Sequence, residues 1–430
     1  MVAMKLHQIL LAGGIRPLLA TANNLNFDFP YNTSNPVPFT ISVDEAFIEE
    51  TQSKVKLYRL SPDLKDDSNY QWSEGPPQKD MAWLKDEWAN NFDWTEVQKE
   101  INNNFSHYAI TLQGPSDFNH PVPLHFVHER SANPEAIPLL LLHGWPSTHL
   151  EWSQIIEPLL SGSGASDNTS FHLVIPDLPG FGFSPAPEYS GLGPAQMGFV
   201  FDALMKSLGY QKYGLVSTDL GWLVASWMAD IAPDNIIAHF TDFFLMSPNS
   251  TDLERFSKNE TTQEESDFIR AMEVWTTTRF SYSTVHQQAP LAIGQAMADS
   301  PVGFAGWVWH LRYAVSDGYN YTAKELIRDT MMLWIQGPWG GLRLYKESFK
   351  PSAFNFPLTH VPTGVSQWAA NNIDGLHSVN FAPRDWMTRL ANVVRVFQHE
   401  AGGHFPAVNA PDLWVQDVRQ FFNGIITGAF

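Results

Sequence analysis

Apolar runs and amphipathic stretches alternate along the middle of the chain. The segments 137–142 and 171–176 are apolar almost throughout, which is typical of strands buried on both faces of a parallel sheet. Helical periodicity and further apolar runs follow in the order helix 194–208, strand 213–216, helix 220–232 and apolar run 236–246. This succession of strands and helices predicts a doubly wound, mostly parallel α/β sheet.

The strand pattern lapses in one long stretch, where Trp, Tyr and Met recur at helical spacing. It is too long for an ordinary loop, so we predict a helical lid over the strand ends. Strands are expected again at 358–364 and 393–397, followed by an amphipathic helix around 413–422. The predicted units are an N-terminal region at 25–115, a core at 116–250 and 350–430, and the lid at 251–349.

The N-terminal part is polar and turn-rich, with one amphipathic stretch at 81–94. Residues 1–24 resemble a leader, because Lys5 precedes apolar residues and Ala20 and Ala22 fit a cleavage site. The interruption by Arg16-Pro17 leaves a frayed terminus as the alternative. The six N-glycosylation acceptor patterns favour the secretory pathway over the cytoplasm, and they begin at Asn32, Asn104, Asn168, Asn249, Asn259 and Asn320.

Composition narrows the chemistry. The 430 residues include 26 basic and 45 acidic side chains, giving a net charge of −19 that disfavours a nucleic-acid partner. The absence of cysteine excludes disulfides, thiol nucleophiles and thiolate metal sites. Because cysteine is absent, covalent catalysis would use an oxygen or nitrogen nucleophile. The 16 Trp, 29 Phe and 12 Tyr residues suggest an aromatic-lined cavity as well as a core.

The turn between strand 213–216 and the following helix is a candidate for the nucleophile. Small residues Ser217 and Gly221 flank a central Asp219, as in the strained strand-to-helix elbow that presents a nucleophile. The alternative is an aspartate that simply caps the helix. An oxyanion hole is expected from the backbone N–H groups of Trp145, in the sequence His143-Gly144-Trp145-Pro146, and of Leu220. His404, after the last predicted strand, occupies the place of a general base.

Taken together, these motifs resemble those of the microsomal-type epoxide hydrolases, including fungal members. The resemblance runs in order from about Phe39 to the C-terminus and includes four further motifs: Ser300-Pro301-Val302-Gly303, Arg343-Leu344-Tyr345-Lys346-Glu347, Val361-Pro362-Thr363-Gly364 and Gly402-Gly403-His404-Phe405. It implies an α/β-hydrolase fold. It also implies a cofactor-free mechanism in which Asp219 attacks an epoxide carbon and His404 activates water against the resulting ester.

Opening an epoxide releases an alkoxide that needs a proton, and a phenol can supply one without burying a charge. Matching the family motifs implies that Tyr282 and Tyr345 are these acids. The family's relay carboxylate falls on Asn371, which carries no charge. We therefore expect Asp374 to reach His404 by a short insertion, with Asp242 as the second candidate.

Other activities on this fold stay open. One is epoxide opening in which a hydroxyl of the substrate replaces water and closes a ring, another is dehalogenation, and a third is non-catalytic binding of a small molecule. Dehalogenases resembling this fold often have a halide-binding Trp after the nucleophile, where this chain has Leu220. The expected ligand is a small apolar epoxide, without metal, organic cofactor or nucleic acid. A homodimer and a monomer are both compatible with the sequence.

Overall fold

The computed structural model describes residues 25–65, 72–162 and 169–430. Within these residues, nine strands form a single sheet in the order β1-β2-β3-β5-β4-β6-β7-β8-β9. The strands are β1 Val37–Pro38, β2 His107–Gln113, β3 Pro121–Glu129, β4 Ile137–Leu142, β5 Phe171–Pro176, β6 Tyr213–Ser217, β7 Ile236–Thr241, β8 Pro362–Trp368 and β9 Asn392–His399. The predicted leader at 1–24 and Asn168 lie outside the described residues.

Strands β4 to β9 pair in parallel, which confirms the predicted doubly wound sheet. The order around β4 reverses, with β5 on one side and β6 on the other, so the chain winds outward in both directions from this strand. The strand predicted at 358–364 begins later, at Pro362. Leu358 before it is 58% exposed, so apolar character at the start of the run did not indicate burial.

The first three strands form an antiparallel edge of the sheet that we did not predict. Strands β1, β2 and β3 pair antiparallel with one another, and β3 pairs antiparallel with β5. Proline and polar residues interrupt the apolar alternation in β2 and β3, which weakens the sequence pattern of a strand. The predicted N-terminal region 25–115 therefore contains strands β1 and β2 besides its helices, and β3 lies at the start of the segment predicted as the core.

Helices cover both faces of the sheet and follow the strands in turn. They are α1 Glu45–Leu57, α2 Gln78–Asn90, α3 Trp94–Asn104, α4 Ile156–Ser161, α5 Pro194–Ser207, α6 Asp219–Ile231, α7 Ser250–Ser257, α8 Gln263–Thr278, α9 Ser281–Gln288, α10 Pro290–Met297, α11 Pro301–Val315, α12 Ala323–Trp334, α13 Trp339–Ser348, α14 Arg384–Met387, α15 Pro406–Asn409 and α16 Pro411–Thr427. None of the helices in the described part of the chain combines the length and apolar character that a membrane span requires.

The continuous apolar run of β4 is explained by burial on both sides. Leu140 and Leu142 pack into one core cluster with residues of α5 and α6, whereas Leu139 and Leu141 pack into a second cluster with residues of α16. The seven helices α7 to α13 lie between β7 and β8 in the described chain. Because they follow β7 and precede β8, they are inserted at the carboxyl ends of parallel strands, where ligands bind in open α/β sheets.

Candidate active site

Asp219 lies on a strained turn between β6 and α6. Its φ of +44° is in the left-handed region, which a non-glycine residue rarely adopts. Position 221, two residues later, requires glycine, because a Cβ on Gly221 would lie 2.3 Å from the carbonyl oxygen of Leu142. Thr218 is the N-cap residue and Asp219 begins the helix, so Asp219 does not cap it. The turn therefore presents the Asp219 carboxylate above the sheet.

The loop after β4 holds one oxygen of this carboxylate. The backbone N–H of Trp145 donates to Asp219 Oδ1 at 2.9 Å. Gly144 permits this approach, because a Cβ on it would come within 2.2 Å of the same oxygen. Leu220 lines the cavity above the nucleophile. One N–H of the predicted oxyanion hole is thus in contact with Asp219, and Leu220 is adjacent to it in the chain.

His143 supports this loop from behind. It is fully buried, and its Nε2 accepts a hydrogen bond from the Leu178 N–H at 3.0 Å. The proton of the neutral ring therefore lies on Nδ1, which is 3.0 Å from the Gly144 carbonyl oxygen. Burial lowers the pKa of His143 to about 4 and keeps the ring neutral. His143 is not among the residues that line the cavity, so its place is structural support for the predicted oxyanion loop.

His404 faces the other oxygen of Asp219. Its Nε2 lies 3.5 Å from Asp219 Oδ2. The loop before it needs glycine, since Gly402 and Gly403 have φ values of +121° and +64°. The backbone N–H of His404 also donates to the Val315 carbonyl oxygen at 2.7 Å. The structure therefore brings the predicted nucleophile and base together and anchors the base to an inserted helix.

Asp374 is not brought to His404. It lies exposed in the turns after β8, and no hydrogen bond or ion pair joins it to His404 in the described chain. Asn371, the position implied by motif matching, is also exposed, and its Nδ2 donates to the Glu400 carbonyl oxygen at 2.9 Å. The insertion that we expected therefore forms a surface turn and does not extend toward the base.

Asp242, the second candidate, is buried directly after β7. Trp414 Nε1 donates to its Oδ2 at 2.6 Å. Burial raises the pKa of Asp242 to about 6, while the hydrogen bond from Trp414 and the charge of His404 act in the opposite direction. Its Oδ1 is buried without a hydrogen-bond partner among the described residues. No hydrogen bond or ion pair joins Asp242 to His404 in the described chain, but of the two candidate carboxylates Asp242 is the one whose pKa responds to the charge of His404.

Tyr282 and Tyr345 converge across the cavity from different helices. Tyr282 lies on α9 and Tyr345 on α13, and their ring centroids are 5.8 Å apart. The Trp145 ring packs against both, with centroids at 5.4 Å from Tyr282 and 6.0 Å from Tyr345. Burial and the negative charge of Asp219 raise the pKa of both phenols, so both carry their protons at neutral pH.

The cavity that joins these residues contains about 860 Å³ of space, counting its mouth. Asp219, His404, Tyr282 and Tyr345 all line it, and Asn380 is the remaining polar side chain of the wall. The other walls are apolar: Leu220, Leu223, Phe243, Phe244, Leu245, Met246, Phe268, Met272, Trp275, Phe280, Leu311, Val315, Phe349 and Val379. An apolar molecule would thus meet a carboxylate on one side and two phenols on the other.

A buried histidine cluster lies beneath the oxyanion loop, and the sequence did not predict it. His125, His149 and Asp177 are spaced so that their ligand atoms could hold a metal ion. However, Asp177 already accepts hydrogen bonds from His125 Nδ1 at 2.8 Å and from His149 Nδ1 at 2.9 Å, besides the backbone N–H groups of His149 and Phe183. This donor set matches a satisfied buried carboxylate better than a metal centre.

Comparisons with known proteins show which family this chain is similar to. A family model described as the epoxide hydrolase N terminus matches residues 36–152, and one described as the alpha/beta hydrolase fold matches residues 137–335. The juvenile hormone epoxide hydrolase of Bombyx mori is 30% identical over 89% of this chain and 85% of that protein. Epoxide hydrolase 1 of Sus scrofa is 28% identical over 89% of this chain and 88% of that protein.

Solved structures share the fold. The Bombyx mori juvenile hormone epoxide hydrolase superposes with a TM-score of 0.79 over 92% of this chain and 96% of that one, at 24% identity. The Aspergillus niger epoxide hydrolase does so with a TM-score of 0.76 over 93% of this chain and 100% of that one, at 23% identity. These similarities extend over the N-terminal region, the sheet and the inserted helices, and they establish the architecture around the cavity.

Proposed function

The chain belongs to the epoxide hydrolase family, and from this premise we propose that it opens its epoxide through an ester on Asp219 that water activated by His404 then hydrolyses. The observation that carries the proposal is that the two carboxylate oxygens of Asp219 have different neighbours. Trp145 N–H holds Oδ1, while Oδ2 faces His404 at 3.5 Å. A carboxylate fixed in this way is oriented for nucleophilic attack and for later hydrolysis of its ester.

In the first half of the reaction, an Asp219 oxygen attacks one epoxide carbon and the carbon–oxygen bond of the ring breaks. The electron pair stays on the epoxide oxygen, which takes a proton from Tyr345 or Tyr282. The tyrosine is left as a phenolate. The apolar walls strengthen this electrostatic step, because hydrogen bonds to developing charge are worth more where water is excluded.

In the second half, His404 Nε2 removes a proton from water as the water oxygen attacks the ester carbonyl carbon. The Trp145 N–H is placed to stabilise the negative charge that develops on Oδ1. Collapse of the intermediate releases the second alcohol, which takes the proton from His404. The carboxylic acid left on Asp219 returns the remaining proton of water to the phenolate. Asp242 stabilises the transient imidazolium.

The substrate class follows from the cavity walls. Apart from the four proposed catalytic residues and Asn380, the wall is hydrocarbon or aromatic, which favours an apolar epoxide. Hydrolysis is favoured over ring closure by a substrate hydroxyl, because the buried Asp242 lowers the cost of charging His404. A panel of aryl, terpenoid and polyene epoxides, with products identified by mass, would distinguish a diol from a cyclic ether.

Single-turnover reaction in ¹⁸O-labelled water tests the ester. With enzyme in excess, the diol formed in the first cycle should contain no label, and the label should appear in a peptide containing Asp219. Asp219→Asn should abolish ester formation, and Asp374→Asn, at an exposed position, serves as the matched control. Labelled diol in the first turnover would show direct attack by water and refute the ester mechanism.

We further propose that the protein enters the secretory pathway and carries N-linked glycans. The asparagines of five acceptor patterns are exposed: Asn32, Asn104, Asn249, Asn259 and Asn320. Expression in a eukaryotic host should give a protein whose mass falls on enzymatic deglycosylation, and an unchanged mass would contradict this.

Sedimentation analysis of the same preparation would show whether the chain forms a homodimer. The segment 251–349 is proposed to act as the lid of the cavity.

A further inference from the structure

His286 packs behind the two tyrosines without lining the cavity. It lies on α9, one helical turn after Tyr282, and it is fully buried. Its ring centroid is 4.7 Å from that of Trp145, 4.9 Å from that of Tyr345 and 5.6 Å from that of Tyr282. A single imidazole therefore contacts both proposed acids and the residue whose N–H holds Asp219.

The structure fixes the tautomer of this imidazole. Trp307 Nε1 lies 3.1 Å from His286 Nε2, and an indole N–H can only donate, so Nε2 must be the acceptor. Burial lowers the pKa of His286 to about 3, which keeps the ring neutral. Its proton therefore lies on Nδ1. This Nδ1–H and the Tyr345 hydroxyl oxygen are both buried without a hydrogen-bond partner in the described part of the chain.

The proposed reaction creates a need for such a donor. When a tyrosine gives its proton to the epoxide oxygen, a phenolate forms in the cavity wall. Burial and the charge of Asp219 both oppose it, as the raised pKa values of Tyr282 and Tyr345 show. A neutral N–H donor stabilises a phenolate without adding a buried positive charge that would also attract the nucleophile.

We propose that His286 is a positioning residue for the tyrosine pair, whose Nδ1–H donates to the Tyr345 oxygen as negative charge develops there during ring opening. The inference rests on the proposed function, because it assigns a partner to one of the proposed acids. Trp307 then acts through His286, because its hydrogen bond to Nε2 keeps the imidazole proton on Nδ1, the nitrogen that donates to Tyr345.

Three variants test the donor. His286→Leu removes it, His286→Asn keeps an N–H close to the position of Nδ1, and Trp307→Phe leaves the imidazole in place but releases its tautomer. Ester formation and ester decay are measured separately in single turnovers by acid quench and intact mass. We expect the leucine variant to slow ester formation about 10-fold to 100-fold and to leave ester decay unchanged. The asparagine variant should retain most of the rate, and Trp307→Phe should lie between them.

A double variant and a spectroscopic measurement separate this role from packing. If His286 acts through Tyr345, His286→Leu should add little to the loss caused by Tyr345→Phe. In the wild-type protein, ¹⁵N NMR of the His286 ring should show the proton on Nδ1 down to about pH 5. Equal slowing of both steps by His286→Leu, a fully additive double variant or a proton on Nε2 would overturn the inference alone. Absence of any ester in the wild type would overturn the proposed function and this inference with it.

Discussion

Replacing Asp242 with asparagine identifies the carboxylate that assists His404. The substitution keeps the size of a side chain that is 5% exposed and leaves an oxygen to accept the hydrogen bond from Trp414. It removes the negative charge that interacts with His404. Because water attack turns the neutral His404 imidazole into a cation and epoxide attack does not, we expect ester decay to slow and ester formation to be preserved.

The magnitude follows from the electrostatics of a buried pair. Two unit charges about 4 Å apart interact by about 4 kcal/mol at an effective dielectric constant of about 20, and this is an upper bound here, because no ion pair joins Asp242 to His404 in the described chain. Loss of this stabilisation would slow ester decay by up to about 10³-fold. The pKa of Asp242, raised to about 6 by burial, adds a pH dependence. Below this value the wild-type carboxylate takes up a proton and ceases to stabilise the imidazolium, so wild-type ester decay should also slow in acid.

Intact mass spectrometry after acid quench measures both steps directly. Asp242→Asn should accumulate a species heavier than the enzyme by one substrate molecule within the first turnover. Asp374→Asn is the matched control, since it changes an exposed aspartate in the same way, and it should turn over like the wild type. If Asp374→Asn accumulated the ester while Asp242→Asn did not, our assignment of the relay carboxylate would be refuted.

Three further predictions concern other parts of the site and core. Tyr345→Phe and Tyr282→Phe should each slow ester formation about 10²-fold to 10³-fold, measured by quenched single turnovers, and a double variant with wild-type rates would place the acid elsewhere. Gly144→Ala should lower the same rate about 10²-fold or more, because its Cβ would come within 2.2 Å of Asp219 Oδ1. Burial lowers the pKa of His107 to about 2 in the folded protein. As the pH falls below about 6.5, the unfolded chain therefore takes up a proton at this histidine while the folded protein does not, and the free energy of unfolding should decrease by about 2 kcal/mol at pH 5. Thermal unfolding measured above pH 6.5 and at pH 5 would test this, because the acid-induced loss of stability should be smaller in His107→Gln than in the wild type.

The local sequence was sufficient to predict those site residues that lie on a single strained turn. The elbow at Asp219 and the glycine loop before His404 were both recognisable, because a strained backbone position restricts the neighbouring residue types. The parallel strands were predicted because burial on both faces produces an apolar run. The antiparallel strands β2 and β3 were missed, since their apolar positions are interrupted by proline and polar residues.

The relay carboxylate could not be chosen from spacing along the chain. Asp242 follows β7 and Asp374 follows β8, and each stands after a parallel strand at the same edge of the sheet. Sequence separation does not tell which of these loops turns inward. In the structure, Trp414 of the C-terminal helix α16 holds Asp242, and this contact joins residues 172 positions apart. Only the tertiary packing of α16 distinguishes the two carboxylates.

The two halves of the proposed reaction depend on different parts of the molecule. Asp219, His404 and Asp242 are carried by turns at the ends of strands in one sheet, whose hydrogen bonds fix their separation. Tyr282 and Tyr345 are carried by α9 and α13, which are inserted between β7 and β8. The phenols therefore approach the nucleophile only when these helices pack on the sheet. Substitutions that loosen the packing of α9 and α13 should slow ring opening more than ester hydrolysis, because the backbone of His404 is held by the end of α11 and not by these two helices.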